Sequence, residues 1–238
     1  TMSDALVWDP ILPGDEIIKA IGPGLVLVFA AYLVLTAVVL LFARRAVRLI
    51  SDSEEKALHD PLTGLPNRLL LLDRMKHLLA AKRGEEARAA VFYLDLDGFK
   101  DVNDSAGHAA GDAVLVGVAR RLREFCRAED TVARLGGDEF VMVIPMDDRQ
   151  IVEARAEAVL AALSSPYHYN GRPLVVGISI GIALAPEHGL NVAALLHKAD
   201  AALYAAKQSG KGRVRFYRKS MHAETVPSDW AIVPAVGI

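Results

Sequence analysis

The chain has 238 residues, of which 53% are hydrophobic and 24% are charged, with a formal net charge of −2 at pH 7 and one cysteine, Cys126. The length allows one or two domains. The small net charge gives no reason to expect nucleic-acid binding, and a lone cysteine excludes an internal disulfide. The hydrophobic fraction exceeds what an average soluble domain needs, and most of the excess lies in one segment near the N terminus.

Residues 22–43 form an uncharged apolar run, which we interpret as a transmembrane helix. As a helix this run would rise about 33 Å, enough to cross a bilayer core. The preceding residues 1–21 are acidic, unlike the basic start of a signal peptide. Arg44, Arg45 and Arg48 follow the run directly, and the positive-inside rule then places the downstream part in the cytoplasm. We therefore predict a short non-cytoplasmic tail over residues 1–21 and a single membrane pass.

Residues 44–59 have the pattern of a charged helix that leaves the membrane. Their apolar positions form a narrow seam, with one heptad step between Ile50 and Ala57. A solvated linker helix and a dimerising stalk both fit this pattern. The next motif, "DPLTGLPNR", contains prolines and a glycine that break the helix, so we expect a soluble domain over residues 60–218.

Helical and strand patterns alternate through residues 60–218. Glycine-containing turns join strands into two hairpins, at Gly136–Asp138 and at Asn170–Gly171. Strands paired in this way, with helices between the pairs, predict an α+β fold whose sheet is largely antiparallel. Residues 219–238 carry no periodic pattern and are predicted to be disordered. The predicted helices are 67–82, 109–126, 149–163 and 191–210, and the predicted strands are 87–97, 131–135, 139–145, the hairpin 167–186, and 213–217.

Four carboxylates lie where predicted strands end or turn. Asp95 and Asp97 close the first strand and point to the same face. Asp138 and Glu139 lie at the tip of the first hairpin. If that hairpin lies beside the first strand, the carboxylates converge, and a divalent cation would relieve their repulsion. Oxygen ligands select a hard ion, Mg²⁺ before others. For Asp97, a metal ligand and a solvated loop charge both remain open.

Glycines and lysines supply the other parts of a possible nucleotide site. Gly136 and Gly137 allow positive φ in a tight turn, and without side chains they let a ligand approach the backbone. Lys207 and Lys211 are four residues apart. They share a helical face if the helix continues through Gly210; if the helix ends there, Lys211 lies on a loop close to Lys207.

The motifs together resemble the GGDEF family, the diguanylate cyclases. Five of them occur in the family's order across about residues 57–218: "DPLTGLPNR", "LDLDGFKDVNDSAGHAAGD", "RLGGDEF", "SIGIA" and "ADAALYAAKQSGKGRV". The resemblance implies an α+β fold similar to nucleotidyl cyclases and polymerase palm domains, with a largely antiparallel five-stranded sheet flanked by helices. It also implies an enzyme, a nucleotidyltransferase that joins two GTP molecules into cyclic di-GMP and releases two pyrophosphates. With the apolar run, it implies a location in the inner (cytoplasmic) membrane of a bacterium, with the catalytic domain in the cytoplasm.

The resemblance also assigns roles by position, with Mg²⁺ or Mn²⁺ as the cofactor and a homodimer as the active form. An amide and a carboxylate can match the donors and the acceptor on the edge of guanine, a pattern that adenine lacks. Because each domain holds one GTP, forming two bonds requires two facing copies. The implied metal ligands are Asp95, Asp138, Glu139 and the Leu96 carbonyl; the catalytic residues are Glu139, Asp138 and Lys100; the guanine contacts are Asn103 and Asp112; the phosphate contacts are Lys100, Lys207 and Lys211; and Gly136 and Gly137 lie against the nucleotide.

The string "RAED", from Arg127 to Asp130, resembles the family's RxxD site, which binds the product and inhibits the enzyme. Arginine offers a two-pronged donor for guanine or phosphate. The alternative is a helix end with an exposed ion pair. Further arginines often complete this site, and here Arg155 is the one obvious candidate. Lys211 occupies a place often filled by arginine, so the charge is kept and the fork is lost.

Two other functions remain possible from the sequence. The chain could be a catalytically silent receptor for GTP or cyclic di-GMP that signals by protein contact, although the expected acids are all present. An adenylyl cyclase or polymerase-like enzyme would share the acid cluster, but Asn103 and Asp112 argue against adenine.

Overall fold

The computed structural model describes residues 24–45 with gaps at 25 and 43, and residues 57–81, 88–145 and 148–221. The chain divides into two units, Thr1–Glu55 and Lys56–Ile238. The predicted tail over residues 1–21 and most of the predicted linker over residues 44–59 lie outside the described residues. The same holds for the predicted disordered tail beyond residue 221.

In the first unit, residues 26–42 are helical. Their large apolar side chains are exposed, from 41% at Val38 to 71% at Phe42. Among the residues that the structure describes, no helix combines the length and the mean hydropathy needed to cross a bilayer.

The second unit contains five helices and seven strands within its described residues. The first half runs α1 (Arg68–Ala81), β1 (Ala89–Asp97), α2 (Phe99–Ala106), α3 (His108–Glu124), β2 (Thr131–Gly136) and β3 (Glu139–Pro145). The second half runs α4 (Arg149–Leu163), β4 (Tyr167–Tyr169), β5 (Arg172–Leu174), β6 (Gly177–Ala185), α5 (Val192–Gln208) and β7 (Val214–Phe216).

The main sheet has five strands in the order β2-β3-β1-β6-β7. The pairs β2–β3, β3–β1 and β1–β6 are antiparallel, whereas β7 runs parallel to β6. The predicted α+β class with a five-stranded sheet is therefore confirmed, and the sheet is mixed because its last strand follows the crossover helix α5. Strand β1 lies at the centre and is buried on both faces, which explains its nearly continuous apolar sequence.

The second predicted hairpin, over residues 167–186, is only partly correct. The chain does turn at Asn170–Gly171, but only β4 and β5 flank that turn, as a separate two-stranded ribbon. After Leu174 the chain leaves the ribbon and enters the main sheet as β6. The sequence between β5 and β6 is a continuous run of strand-forming residues, so this break was not predicted.

Helices pack on both faces of the sheet and form two cores. Alternate residues of β1, including Phe92 and Leu94, pack in one core with α3 and α4. The intervening residues, including Val91 and Tyr93, pack in the other core with α1 and α5. Because side chains alternate along a strand, Asp95 continues the row that faces α5.

Helix α2 was not predicted from the sequence. It spans eight residues between two glycines with positive φ, Gly98 at 78° and Gly107 at 86°. Its sequence contains Asp, Asn and Ser, which favour turns over helix interiors, and Val102 is its one buried residue. This short helix carries Lys100 and Asn103 away from the end of β1.

Candidate active site

Two carboxylates lie side by side at the end of the sheet. Asp95 on β1 and Glu139 on β3 are directly paired residues of the antiparallel ladder. Directly opposite side chains in such a ladder are close enough to interact, and like charges there repel. The structure thus brings together two of the acids that the sequence analysis assigned to a metal.

A lysine from α5 contacts this pair. The Lys207 Nζ lies 2.7 Å from Asp95 Oδ1, and the two side chains are 35% and 12% exposed. Helix α5 ends at Gln208, so the alternative in which it continues through Gly210 is excluded. Lys211 instead follows on a loop with φ of 59°.

Burial, and then the neighbouring charges, shift the pKa values of these acids. Burial raises the pKa of Asp95, Lys207 opposes that shift, and the charges of Asp138 and Asp97 add to it. Burial also raises the pKa of Glu139, and the neighbouring charges of Asp95, Asp200 and Asp138 add to it, against a hydrogen bond from Tyr93. The folded protein therefore disfavours negative charge here, and a further cation would be stabilising.

Sequence reasoning missed two members of this cluster. Tyr93 donates a hydrogen bond from its hydroxyl to Glu139 Oε2 over 3.2 Å, and burial with the charges of Glu139 and Asp200 raises the pKa of Tyr93. Asp200 lies on α5, and burial raises the pKa of its carboxyl against the charges of His197 and Lys207. Tyr93 precedes Asp95 by two residues on one strand and Asp200 precedes Lys207 by seven on one helix, so their spacing could have placed both on the site's face.

The acid pair offers donors of the right chemistry for Mg²⁺ or Mn²⁺, but not a complete cage. Within the described part of the chain, no group of three or more acidic, histidine or cysteine side chains is arranged to hold a metal ion. Asp95 and Glu139 are in register, and burial together with neighbouring negative charges raises the pKa of each carboxyl. Hard cations that keep water and phosphate ligands need only one or two protein carboxylates, so the residues present fit such an ion.

The turn between β2 and β3 leaves open space. Gly136 and Gly137 have φ of 153° and 51°, and a Cβ added to either would meet no atom within 4 Å. The ladder shifts register between Arg134 and Gly136, a bulge that brings Gly136 opposite Glu139. A plain hairpin turn is enough to explain the φ values of Gly136 and Gly137. The open space beside the paired acids would in addition accommodate a nucleotide.

Arg134 holds this turn to the start of the domain. Its Nε and Nη2 donate to the Gly137 carbonyl over 3.0 and 2.7 Å, and its Nη1 donates to the two Asp60 carboxylate oxygens over 3.0 and 3.1 Å. Burial acts to raise the pKa of Asp60, but hydrogen bonds from Thr63 and Arg134 outweigh it and hold that pKa below its usual value. We refer to Asp60, Arg134 and the Gly137 carbonyl as the arginine clamp. Neither side chain was predicted from the sequence to belong to the site.

The residues assigned to guanine lie on α2 and α3. Asn103 is half-buried on α2 and Asp112 is exposed on α3. Neither side chain makes a hydrogen bond or ion pair with another described residue, and neither does the exposed Lys100. All three side chains are thus available to a ligand.

Asp97 is a half-buried, hydrogen-bonded group rather than a solvated charge. Its Oδ2 accepts hydrogen bonds from the Ser179 hydroxyl over 2.8 Å and from the Gly212 amide over 3.1 Å. Its Oδ1 is buried without a hydrogen-bond partner among the described residues. Asp97 therefore anchors the loop that carries Lys211.

The RxxD residues differ in exposure. Asp130 is buried, its Oδ2 accepts from the Arg127 amide over 2.7 Å, and it is paired with Arg155. Arg155 also donates to the Phe125 carbonyl. The Arg127 side chain is exposed, without a hydrogen bond or ion pair to a described residue. Arg155 is thus engaged by the fold, while Arg127 is available.

A family profile described as "Diguanylate cyclase, GGDEF domain" matches residues 57–213. The chain belongs to the GGDEF family. The resemblance inferred from the five motifs is therefore confirmed.

Known relatives share this GGDEF domain. The bifunctional diguanylate cyclase/cyclic di-GMP phosphodiesterase MucR of Pseudomonas aeruginosa is 45% identical over 167 residues, which cover 70% of this chain and 24% of that protein. The chain spans 23% to 37% of the length of the first curated relatives it matches.

Two solved GGDEF structures are similar in fold. The GGDEF domain of TpbB (YfiN) from Pseudomonas aeruginosa is 41% identical with a TM-score of 0.65, and the match covers 67% of this chain and 94% of that one. The coiled coil and GGDEF domain of DgcB from Caulobacter crescentus, in complex with c-di-GMP, is 28% identical with a TM-score of 0.66, and the match covers 73% of this chain and 93% of that one.

Proposed function

We propose that this protein is a diguanylate cyclase, which condenses two GTP molecules into cyclic di-GMP and releases two pyrophosphates. The observation that carries the proposal is the pairing of Asp95 with Glu139 beside the open turn at Gly136 and Gly137. Lys207 supplies positive charge at the same place. Relatives that share the domain are named diguanylate cyclases.

In this proposal the acid pair binds the cofactor and the lysines bind the phosphates. Mg²⁺ or Mn²⁺ held by Asp95 and Glu139, with Asp138 and the Leu96 carbonyl as further oxygen donors, would neutralise the phosphate charge and lower the pKa of the attacking ribose hydroxyl. Lys207 exchanges its contact with Asp95 for a phosphate oxygen. Such charge stabilisation is the main catalytic contribution in phosphoryl and nucleotidyl transfer.

The other phosphate and base contacts come from neighbouring elements. Lys100 on α2 and Lys211 on the loop after α5 reach the phosphates. The Asn103 amide donates to the guanine carbonyl, and the Asp112 carboxylate accepts from the guanine N–H groups. Adenine offers an amino group where guanine has its carbonyl, so the same pair rejects ATP.

The reaction requires two copies of the domain. One site holds one GTP, and a cyclic product with two phosphodiester bonds needs two GTP molecules facing each other. We therefore propose a homodimer as the active form, with the segment over residues 44–59 as the stalk that brings the copies together.

Product formation should rise faster than linearly with protein concentration. The full chain in detergent, incubated with GTP and Mg²⁺ over a dilution series, should give cyclic di-GMP with a specific activity that falls as the dimer dissociates. Chromatography of the nucleotides measures the product, and light scattering measures the dimer. A folded dimer that forms no product would contradict the proposed activity. A specific activity that is independent of dilution through dissociation would contradict the dimer requirement, and comparable turnover of ATP would contradict the guanine assignment.

We also propose that cyclic di-GMP inhibits the enzyme through Arg127 and Asp130. Replacing Arg127 with alanine should weaken inhibition by about tenfold or more, since a charged fork is lost. It should change stability by less than about 0.5 kcal/mol, because the exposed side chain has no partner among the described residues. The product concentration that halves the activity is the readout, with Arg120→Ala on the exposed face of α3 as the control. Unchanged inhibition in R127A would contradict this site.

Finally, we propose that residues 22–43 anchor the protein in the inner membrane of a bacterium, with the catalytic domain in the cytoplasm. The uncharged run, the arginines that follow it and the exposed apolar side chains of residues 26–42 support this. The full chain should sediment with membranes and resist extraction by high salt and by carbonate. Release by either treatment would contradict an integral anchor.

A further inference from the structure

A glycine lies under the side chain assigned to guanine. Gly111 is buried on α3, where it packs against α2. A Cβ built on Gly111 would lie 2.0 Å from Asn103 Oδ1, 3.0 Å from Asn103 Cγ and 3.2 Å from Phe99 Cζ. The Asn103 amide therefore occupies the space that a side chain at residue 111 would fill.

Packing, and not hydrogen bonding to the described residues, holds this amide in place. The Asn103 side chain makes no hydrogen bond to a described residue, although its backbone carbonyl accepts from the Gly107 amide. Its position thus depends on packing against the bare backbone of Gly111. A glycine inside a helix costs about 1 kcal/mol relative to alanine, so the helix itself would favour alanine here.

We propose that Gly111 is a specificity-determining positioning residue: its missing side chain leaves the room in which the Asn103 amide faces guanine. This inference rests on the proposed function, in which Asn103 reads the base. A methyl group at residue 111 would push the end of a flexible side chain, which can rotate away. The fold would tolerate the change, and the amide would leave its position.

Gly111→Ala should therefore separate stability from specificity. The melting temperature should change little. Rotation of the Asn103 side chain relieves the contact, and alanine has a higher helix propensity than glycine. The preference for GTP over ATP should fall by about tenfold, as expected when one base-reading hydrogen bond is lost. The readout is the ratio of affinities for non-hydrolysable GTP and ATP analogues, measured by calorimetry with the full chain.

The same substitution elsewhere on α3 is a matched control. A Cβ on Gly117 would lie 2.7 Å from Cδ1 of Tyr167, away from the residues assigned to the nucleotide. Gly117→Ala should alter stability and leave the GTP to ATP ratio unchanged.

A double-mutant cycle decides between positioning and a general packing effect. In an Asn103→Ala background no amide remains to be displaced, so adding Gly111→Ala should cause no further loss of GTP preference. It should also restore any melting temperature that Gly111→Ala alone loses. A GTP preference retained in G111A, a loss that persists in the Asn103→Ala background, or a melting temperature that does not recover would overturn the inference. A wild-type protein without preference for GTP would instead contradict the proposed function.

Discussion

Replacing Glu139 with glutamine should abolish cyclic di-GMP formation and stabilise the metal-free protein. Activity should fall by at least about 100-fold, since even the outer partners of metal ligands contribute about 10- to 100-fold. The melting temperature without Mg²⁺ should rise by a few degrees, which corresponds to about 1 kcal/mol for a domain of this size. The cause is the removal of a charge that burial disfavours and that the charges of Asp95, Asp200 and Asp138 disfavour further. Glutamine can still accept the hydrogen bond from Tyr93.

The pH dependence of this difference has a defined sign. The folded protein raises the pKa of Glu139, so the folded state binds this proton more readily than the unfolded chain. The ionised carboxylate therefore has its full cost in stability above the folded pKa, and this cost shrinks as the pH falls below that value and vanishes near the pKa of the unfolded chain. Melting temperatures of wild type and E139Q should converge as the pH falls toward the ordinary range of a glutamate.

Glu153→Gln, the same change on the exposed surface of α4, is the control and should affect neither activity nor stability. Equal metal-free melting temperatures for wild type and E139Q at neutral pH would show that the ionised Glu139 carboxylate does not destabilise the folded protein. Substantial turnover by E139Q would remove Glu139 from the proposed metal ligands and would favour a different acid in that role.

Gly181→Ala should destabilise the fold by about 3 kcal/mol or more, near the upper end for overpacked cores. A Cβ at this position in β6 would lie 2.1 Å from the Ala199 carbonyl oxygen and 2.1 Å from the Leu203 amide nitrogen. Both atoms belong to the backbone of α5, so no side-chain rotation relieves the contact. The melting temperature should fall by about 6–12 °C.

Displacement of α5 should also lower the activity of the G181A protein at temperatures below its melting transition. Helix α5 carries Lys207, whose contact with Asp95 depends on the close approach of α5 to the sheet. Gly117→Ala is the matched control: it also overpacks a close contact, but with the Tyr167 side chain and on α3, so it should alter stability without lowering activity below the melting transition. A G181A protein with the wild-type melting temperature would show that α5 and β6 can move apart at this contact without loss of stability.

Much of the fold could be predicted from the sequence because its strong patterns are local. Helix α4 begins at Arg149 and ends at Leu163 as predicted, and the hairpin turn after β2 follows from its glycines. Helix α2 was missed because it spans only eight residues and contains Asp, Asn and Ser, which favour turns. The parallel pairing of β7 was missed because it depends on where α5 returns the chain, which no local pattern encodes.

The candidate site shows the same limit. The acids and the lysines could be named from their motifs, whereas the partners that hold them could not. Arg134 appears in the sequence as one more charged residue beside a glycine pair, and its bonds to Asp60 join residues 74 positions apart. Gly111 looks like an ordinary helix glycine until the Asn103 amide is seen against it.

The arginine clamp couples the position of the loop at Asp60 to the position of the turn at Gly137. One guanidinium joins the first turn of the domain, at Asp60, to the carbonyl of Gly137 in the turn between β2 and β3. Because four hydrogen bonds share one rigid planar group, neither loop can shift without stretching bonds in the other. A displacement of the chain at Asp60 would therefore be passed through Arg134, a residue of β2, to the turn at Gly137.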